Sequence, residues 1–172
     1  MPEASPRIAS PRTTIATDIP NLRLVAISPD DAEACYVLVD RNRGHLTQHG
    51  DWTELGEATP ESVAASLNNF NDPATQFGIW LDGQLVGRSD LNPRTLGNFV
   101  LGYWLGAEHT GHGYATAASK ALIAYGKVEL GAMTIYAGVT KGNAKSEALL
   151  RRLGFQAVAD RGTYTRFMLP LT

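Results

Sequence analysis

The chain reads as an α/β (α+β) domain, on three observations. Segments of strand periodicity and segments of helical periodicity follow one another from about Asn21 to the end of the sequence. Phe77-Gly78-Ile79-Trp80-Leu81, then Asp82-Gly83, then Gln84-Leu85-Val86-Gly87 is a strand, a two-residue turn and a returning strand. Asn98 to Leu105, a turn at Gly111-His112-Gly113 and a helix to about Val128 form a strand, glycine turn and helix unit. At 172 residues and 44% hydrophobic composition the chain holds one substantial core and has no room for a second full domain.

Residues 1–20 read as a flexible N-terminal arm, because Pro2, Pro6, Pro11 and Pro20 with few large apolar groups bury too little surface to offset chain entropy. Residues 21–172 form the single domain. Leu22, Leu24 and Ala26 alternate along a first strand. Ser28-Pro29-Asp30-Asp31 then starts a helix that runs to about Asp40. Arg41 to Thr59 mixes charges, glycines, two histidines and Trp52 without sustained periodicity, so it is irregular or short-helical. Loops of that kind often carry specificity. Thr59-Pro60-Glu61-Ser62 supplies a cap, a first-turn proline and an early acid for a second helix with the stripe Val63, Leu67 and Phe70. After the hairpin and the glycine unit, Met133 to Val139 is a β-branched, aromatic strand. Asn143 to Leu153 is a helix stopped by Gly154, and Gln156 to Ala159 with Tyr164 to Leu169 form a closing pair.

Composition removes several function classes. The net charge of -2 offers no global attraction to nucleic acid or anionic membrane, and no apolar run is long enough to span a bilayer. The first twenty residues lack the apolar core of a signal peptide. The single cysteine, Cys35, has no internal disulfide partner, and no Cys/His spacing resembles a metal site, so a cytoplasmic setting without metal chemistry is expected. On an amphipathic helix, Cys35 reads as a small core residue.

The chemistry concentrates in the glycine unit. A helix start presents unpaired backbone N–H groups and a partial positive charge, and glycines allow a pyrophosphate to approach that backbone closely. Thr110-Gly111-His112-Gly113-Tyr114-Ala115 has this form. A Rossmann fingerprint would sit in an early strand-turn-helix unit, and a Walker loop would end in Gly-Lys-Ser/Thr; neither description fits.

Gly102-Tyr103-Trp104-Leu105 followed by Gly111-His112-Gly113-Tyr114-Ala115-Thr116 resembles the acetyl-CoA motif of GNAT enzymes, Gln/Arg-x-x-Gly-x-Gly/Ala. Asn143 with Ser146, and then Leu153-Gly154-Phe155, resemble the second block of the RimJ/RimL-like branch. The resemblance covers about Asn21 to the C-terminus. It implies a central, mixed, mostly antiparallel twisted sheet of about six or seven strands, flanked by about four helices. The fourth and fifth strands of the family's count splay apart. It further implies an acetyl-CoA cosubstrate. Tyr103, Trp104 and Leu105 would bind its pantetheine arm, a backbone N–H near Trp104 or Leu105 would polarise the thioester carbonyl, and the N–H groups of Gly111, His112, Gly113, Tyr114 and Ala115 would bind the pyrophosphate, with Thr110 and Thr116 beside them among the cofactor-binding residues. Asn143 would bind pantetheine or cap the local backbone, and Ser146 would lie near the sulfur and assist departure of the thiolate. The acetyl group would pass directly to an amine, without an acyl-enzyme.

Two positions depart from the family pattern. Thr110 stands where the signature has Gln or Arg, and Asn98, Phe99 and Val100 occupy the strand positions where many relatives place a glutamate base. Proton removal then falls to water, Asp90, His45, His49 or Asp51, with Asp90 first because it lies on a strand entering the expected cleft. Arg41, Arg43, His45, His49, Asp51, Trp52 and Asp90 are the acceptor-side candidates. A mixed-sign aromatic lining suits a small polar amine or a peptide N-terminus. The leading expectation is an N-acetyltransferase acting on a primary amine, with a homodimer one option for its assembly. Two alternatives stay open: another acyl donor (a different acyl-CoA, or an aminoacyl-tRNA contacted by Lys141, Lys145, Arg151 and Arg152), and a non-catalytic CoA-binding domain.

Overall fold

A computed structural model describes residues 12–67 and 72–171. Its eight-stranded sheet has the order β1 (Thr14–Ala16), β2 (Leu22–Ala26), β3 (Gln76–Leu81), β4 (Gln84–Pro93), β5 (Asn98–Leu105), β6 (Thr134–Thr140), β8 (Tyr164–Pro170), β7 (Gln156–Asp160). Every neighbouring pair is antiparallel except β5 and β6. The class is the one expected; one strand and two short helices are additional. The extra strand, β1, pairs with Arg23 to Val25 of β2. The sheet therefore begins inside the segment whose prolines suggested a flexible arm. Arg12, beside it, binds the buried Asp31 carboxylate at 2.6 Å. Phe70, expected on a helical stripe, lies outside the described residues.

The helices are α1 (Ala32–Arg41), α2 (Arg43–Thr47), α3 (Thr53–Gly56), α4 (Pro60–Ser66), α5 (Tyr114–Glu129) and α6 (Ala144–Arg152). Capping chemistry sets where they begin. Ser28 and Asp31 form a reciprocal box around the short turn leading into α1, and Thr59 and Ser62 do the same for α4. The region expected to be irregular or short-helical resolves into α2 and α3. A left-handed backbone at Trp52, φ 53°, separates them.

The sheet divides the core in two. One cluster packs Ala118 and Leu122 of α5 and Leu149 and Leu150 of α6 against Leu91, Leu101, Ile135 and Phe167. The other packs Cys35, Leu38 and Val39 of α1, Leu46 of α2 and Val63 of α4 against Trp104. Burial of each large aliphatic side chain contributes about 1.5–3 kcal/mol, and Leu122, Ile135 and Leu150 are fully enclosed. Helix α5 approaches the sheet closely at Gly126, where a Cβ would lie 2.6 Å from Leu91 Cδ1. Strands β4 and β5 pass equally closely: a Cβ on Gly87 would lie 2.2 Å from the Trp104 carbonyl oxygen.

Candidate active site

The parallel β5–β6 ladder is short. Asn98, Phe99 and Val100 pair with Thr134, Ile135 and Tyr136, and no rung joins the strands beyond that point. Leu101 to Leu105 and Ala137 to Thr140 continue as strands held only by their outer partners, β4 and β8. Two neighbouring strands that stay extended while unzipped leave a wedge whose inner edges present backbone N–H and C=O groups. This is the splay that the family resemblance implied.

Two features stand at the mouth of the wedge. On the α5 side, Gly111 and Gly113 both have φ 81°, with open space where a Cβ would be. Gly113 is the N-cap of α5 and provides no side-chain cap; the first helical bond of the turn runs from Ala117 N–H to Gly113 O at 3.0 Å. The N–H groups of Tyr114, Ala115 and Thr116 therefore point outward from a sixteen-residue helix. The His112 and Tyr114 rings stack beside them at 5.4 Å. On the β6 side, Asn143 caps α6 by accepting from Ser146 N–H at 3.3 Å. The Ser146 hydroxyl is hydrogen-bonded to the Tyr103 hydroxyl, which reaches across from β5. Burial pushes the Tyr103 phenol above its ordinary value, and the bond to Ser146 pulls it back in part.

Thr110 differs from a long polar side chain in a specific way. Its hydroxyl donates to Ala107 O at 2.8 Å, closing the preceding turn, so it offers the donor turn backbone rather than side-chain contact. Sequence reasoning gave Arg152 only an RNA-contact alternative, whereas its Nη2 lies 3.4 Å from Thr116 Oγ1 in the first turn of α5. It brings a cation to the outward N–H groups. Asn42 escaped notice altogether. It donates to Leu38 O at 2.8 Å and accepts from Ala107 N–H at 2.9 Å, tying the end of α1 to the loop before the glycine turn. Only the fold makes that contact visible, because 65 residues separate the two partners.

The acceptor-side candidates separate into groups. Asp90 pairs with Gly102 across β4 and β5, and the Trp52 ring lies 3.6 Å from where a Gly102 Cβ would be. Trp52 and Asp90 thus flank Gly102, one strand from the wedge. Asp90 Oδ1 lies 3.4 Å from both Arg88 Nη2 and Phe77 N. Burial raises its carboxyl above the ordinary value, against the opposing pull of Arg88 and the Phe77 N–H. Asp51 is close enough for its charge to raise the Tyr103 phenol slightly. The Arg43 guanidinium donates to Leu55 O, Gly56 O and Ala58 O at 3.3, 3.0 and 2.7 Å and to Asp40 at 3.0 Å, so it staples the α2–α3 region. His45 Nδ1 lies 3.3 Å from Gln48 Nε2, and among the described residues the hydrogen bonds and ion pair of Asp90 run to Phe77 and Arg88, not to His45, His49 or Arg41. Cys35 is 2% exposed and burial pushes its thiol up to about 11, so it is protonated at neutral pH and unsuited to act as a nucleophile. Among the described residues no three His, Cys, Asp or Glu side chains are placed to hold a metal ion, and no helix is long and apolar enough to cross a membrane.

Comparison with known proteins bears on this geometry. The acetyltransferase (GNAT) domain family matches residues 21–156. YdaF of Bacillus subtilis (strain 168), named as a candidate ribosomal N-acetyltransferase, is 31% identical over 156 residues, covering 83% of this chain and 82% of the relative. Among solved structures, RimL, a ribosomal L7/L12 alpha-N-protein acetyltransferase in complex with coenzyme A, superposes with TM-score 0.81 at 18% identity, covering 92% of this chain and 98% of that one. The microcin C7 self-immunity acetyltransferase MccE, solved with acetyl-CoA and AMP, superposes with TM-score 0.74 at 20% identity over 89% and 94%. The family match extends over most of the chain and includes the unzipped strands, the glycine turn and the Asn143–Ser146 cap. With those features in place, the chain belongs to the GNAT acetyltransferase family.

Proposed function

We propose that this acetyltransferase moves an acetyl group from acetyl-CoA directly to a primary amine, with a protein N-terminal amine as the favoured acceptor class and a small-molecule amine as the alternative. The observation that carries this reading is the wedge between β5 and β6, flanked by the uncapped start of α5 and by Ser146. The pyrophosphate of CoA would take the N–H groups of Tyr114, Ala115 and Thr116, with Gly111 and Gly113 admitting it and Arg152 balancing its charge. The amide-bearing pantetheine arm would lie in the wedge, along the unpaired inner edge of Tyr103 to Leu105. A backbone N–H of that edge would meet the oxygen that becomes negative as the amine attacks.

The amine must arrive uncharged and lose a proton on attack. Asp90 suits that task. Its carboxyl is more basic than an exposed one, and beside it Trp52 supplies an aromatic face that favours a cationic group before deprotonation. The similarity to YdaF favours a ribosomal N-terminal amine over a free small molecule. The test is incubation with acetyl-CoA and a library of short unblocked peptides and simple primary amines, read by thiol release and by product mass. Acetylated peptide N-termini support the reading. Turnover confined to small amines replaces the acceptor class. Turnover with another acyl-CoA alone replaces the donor, and donor binding without any turnover removes the catalytic role.

A further inference from the structure

We propose that Tyr103 is a positioning residue for thiol departure: it donates its phenolic proton to Ser146 Oγ and so fixes the direction in which the Ser146 hydroxyl gives up its own. The inference rests on the acetyl-transfer reading and adds to it a role for a strand residue that otherwise only lines the pantetheine path.

The geometry carries it in three steps. First, Tyr103 and Ser146 belong to opposite walls of the wedge. Tyr103 is three residues beyond Val100, where the ladder ends, and Ser146 is on the first turn of the helix that follows β6. A hydrogen bond between them spans the channel where the donor's thioester must end. Second, Ser146 is held twice. Its backbone N–H is bound by Asn143 Oδ1 at 3.3 Å, which fixes the helix start that carries it, and its Oγ is bound by Tyr103, so with the phenol as donor the hydroxyl hydrogen is left to point elsewhere. Third, the phenol, the more acidic of the two hydroxyls, is the favoured donor in a pair where either oxygen can donate. Burial among the residues of the α5-side core keeps it protonated throughout the neutral range, and a protonated phenol can be the donor in the pair while the serine hydroxyl stays free to donate onward.

The step balances as follows. The amine nitrogen adds to the thioester carbonyl carbon, and its extra proton leaves on the opposite side, to Asp90 or water. The C–S bond then breaks, and the sulfur takes the electron pair and the Ser146 hydroxyl proton. Tyr103 returns a proton to Oγ and regains one from solvent. Acetylated amine and free thiol are the only net products. A hydrogen-bonded pair of this kind acts as a unit, so its members lose their effect together rather than separately.

Tyr103→Phe keeps the ring in the core and deletes only the hydroxyl. With the peptide or amine that the wild-type chain turns over fastest, we expect kcat to fall about tenfold or more, while KM for acetyl-CoA and the melting temperature stay close to wild type. Ser146→Ala should lose at least as much, and the double variant should lose no more than Ser146→Ala alone. Replacing the donor's thioester by the corresponding oxoester, whose leaving group needs a proton more urgently, should enlarge the Tyr103→Phe penalty. An unchanged kcat, penalties that multiply in the double variant, or equal penalties for both donors would each overturn the proposal while leaving acetyl transfer intact. A wild-type chain that binds acetyl-CoA and acetylates nothing would instead overturn the acetyl-transfer reading, and this inference with it.

Discussion

Asp90→Asn separates basicity from geometry at the acceptor side. Both hydrogen bonds recorded for the carboxylate, from Arg88 Nη2 and Phe77 N at 3.4 Å, end on Oδ1. An amide carbonyl oxygen in the same place accepts both, so the substitution keeps the local packing and removes only the capacity to take a proton. A general base contributes about 10²–10⁴ in rate, or roughly 3–5 kcal/mol of barrier, and the expected loss in kcat/KM falls in that range. The pH profile gives a second reading. Asp90 must be ionised to act, and burial raises its carboxyl above the ordinary 3.8, so wild-type kcat/KM should climb with pH through the raised value and the variant should lack that limb. Stability has the opposite sign. The folded chain binds this proton more tightly than the unfolded chain, so between about 3.8 and the raised value stability falls as pH rises; the asparagine variant should show a flatter curve there. Steady-state rates across pH and thermal melts in the same buffers measure both. A variant within threefold of wild type that keeps the rising limb would refute Asp90 as the base and leave the proton to Asp51 or water.

Other perturbations test the donor side and the frame. Gly113→Ala meets no neighbour but forces a side chain onto φ 81°; a cost of about 1–2 kcal/mol should appear as a lower melting temperature and a raised KM for acetyl-CoA. Arg152→Ala should raise that KM several-fold with little change in kcat, and more salt should shrink the difference. Gly87→Ala places a methyl 2.2 Å from the Trp104 carbonyl oxygen and 2.8 Å from Leu105 Cδ2. Overpacking against backbone should cost about 3 kcal/mol or more, roughly 6–12 °C in melting temperature. Arg43→Ala should lower the melting temperature while leaving acceptor KM unchanged, because its donors are spent on backbone carbonyls.

The donor side was legible in the sequence because its chemistry is local. A strand, two glycines and a helix start lie within a short stretch, and Asn143 caps the same helix whose first turn carries Ser146. The splay of β5 and β6 was accessible only through family resemblance, since no periodicity distinguishes a paired strand from an unpaired one. On the acceptor side the partners of each residue are distant in sequence. Arg43 looks like a substrate contact as an isolated charge, yet the carbonyls that use it belong to residues 12 to 15 positions further on. Asp90 and Trp52 both come to Gly102, which pairs with one and leaves room for the other, and only the fold brings them there. The early start of the sheet was hidden by prolines. Thr14–Ala16 forms a three-residue edge strand whose rungs are made with β2, which its own composition does not reveal.

The three-rung parallel seam has a mechanical consequence. Strands β1 to β5 form one slab and β6, β8 and β7 a second, and the seam between them closes only after the long crossover through α5. A seam of only three rungs is held by few hydrogen bonds and opens more readily than the long ladders on either side. Those amides of Asn98 to Val100 and Thr134 to Tyr136 that bond across the seam should therefore exchange with deuterium sooner than those deep in β4. A donor lying in the wedge would touch both slabs and slow that exchange, which makes the cosubstrate a removable clasp between the two halves of the molecule.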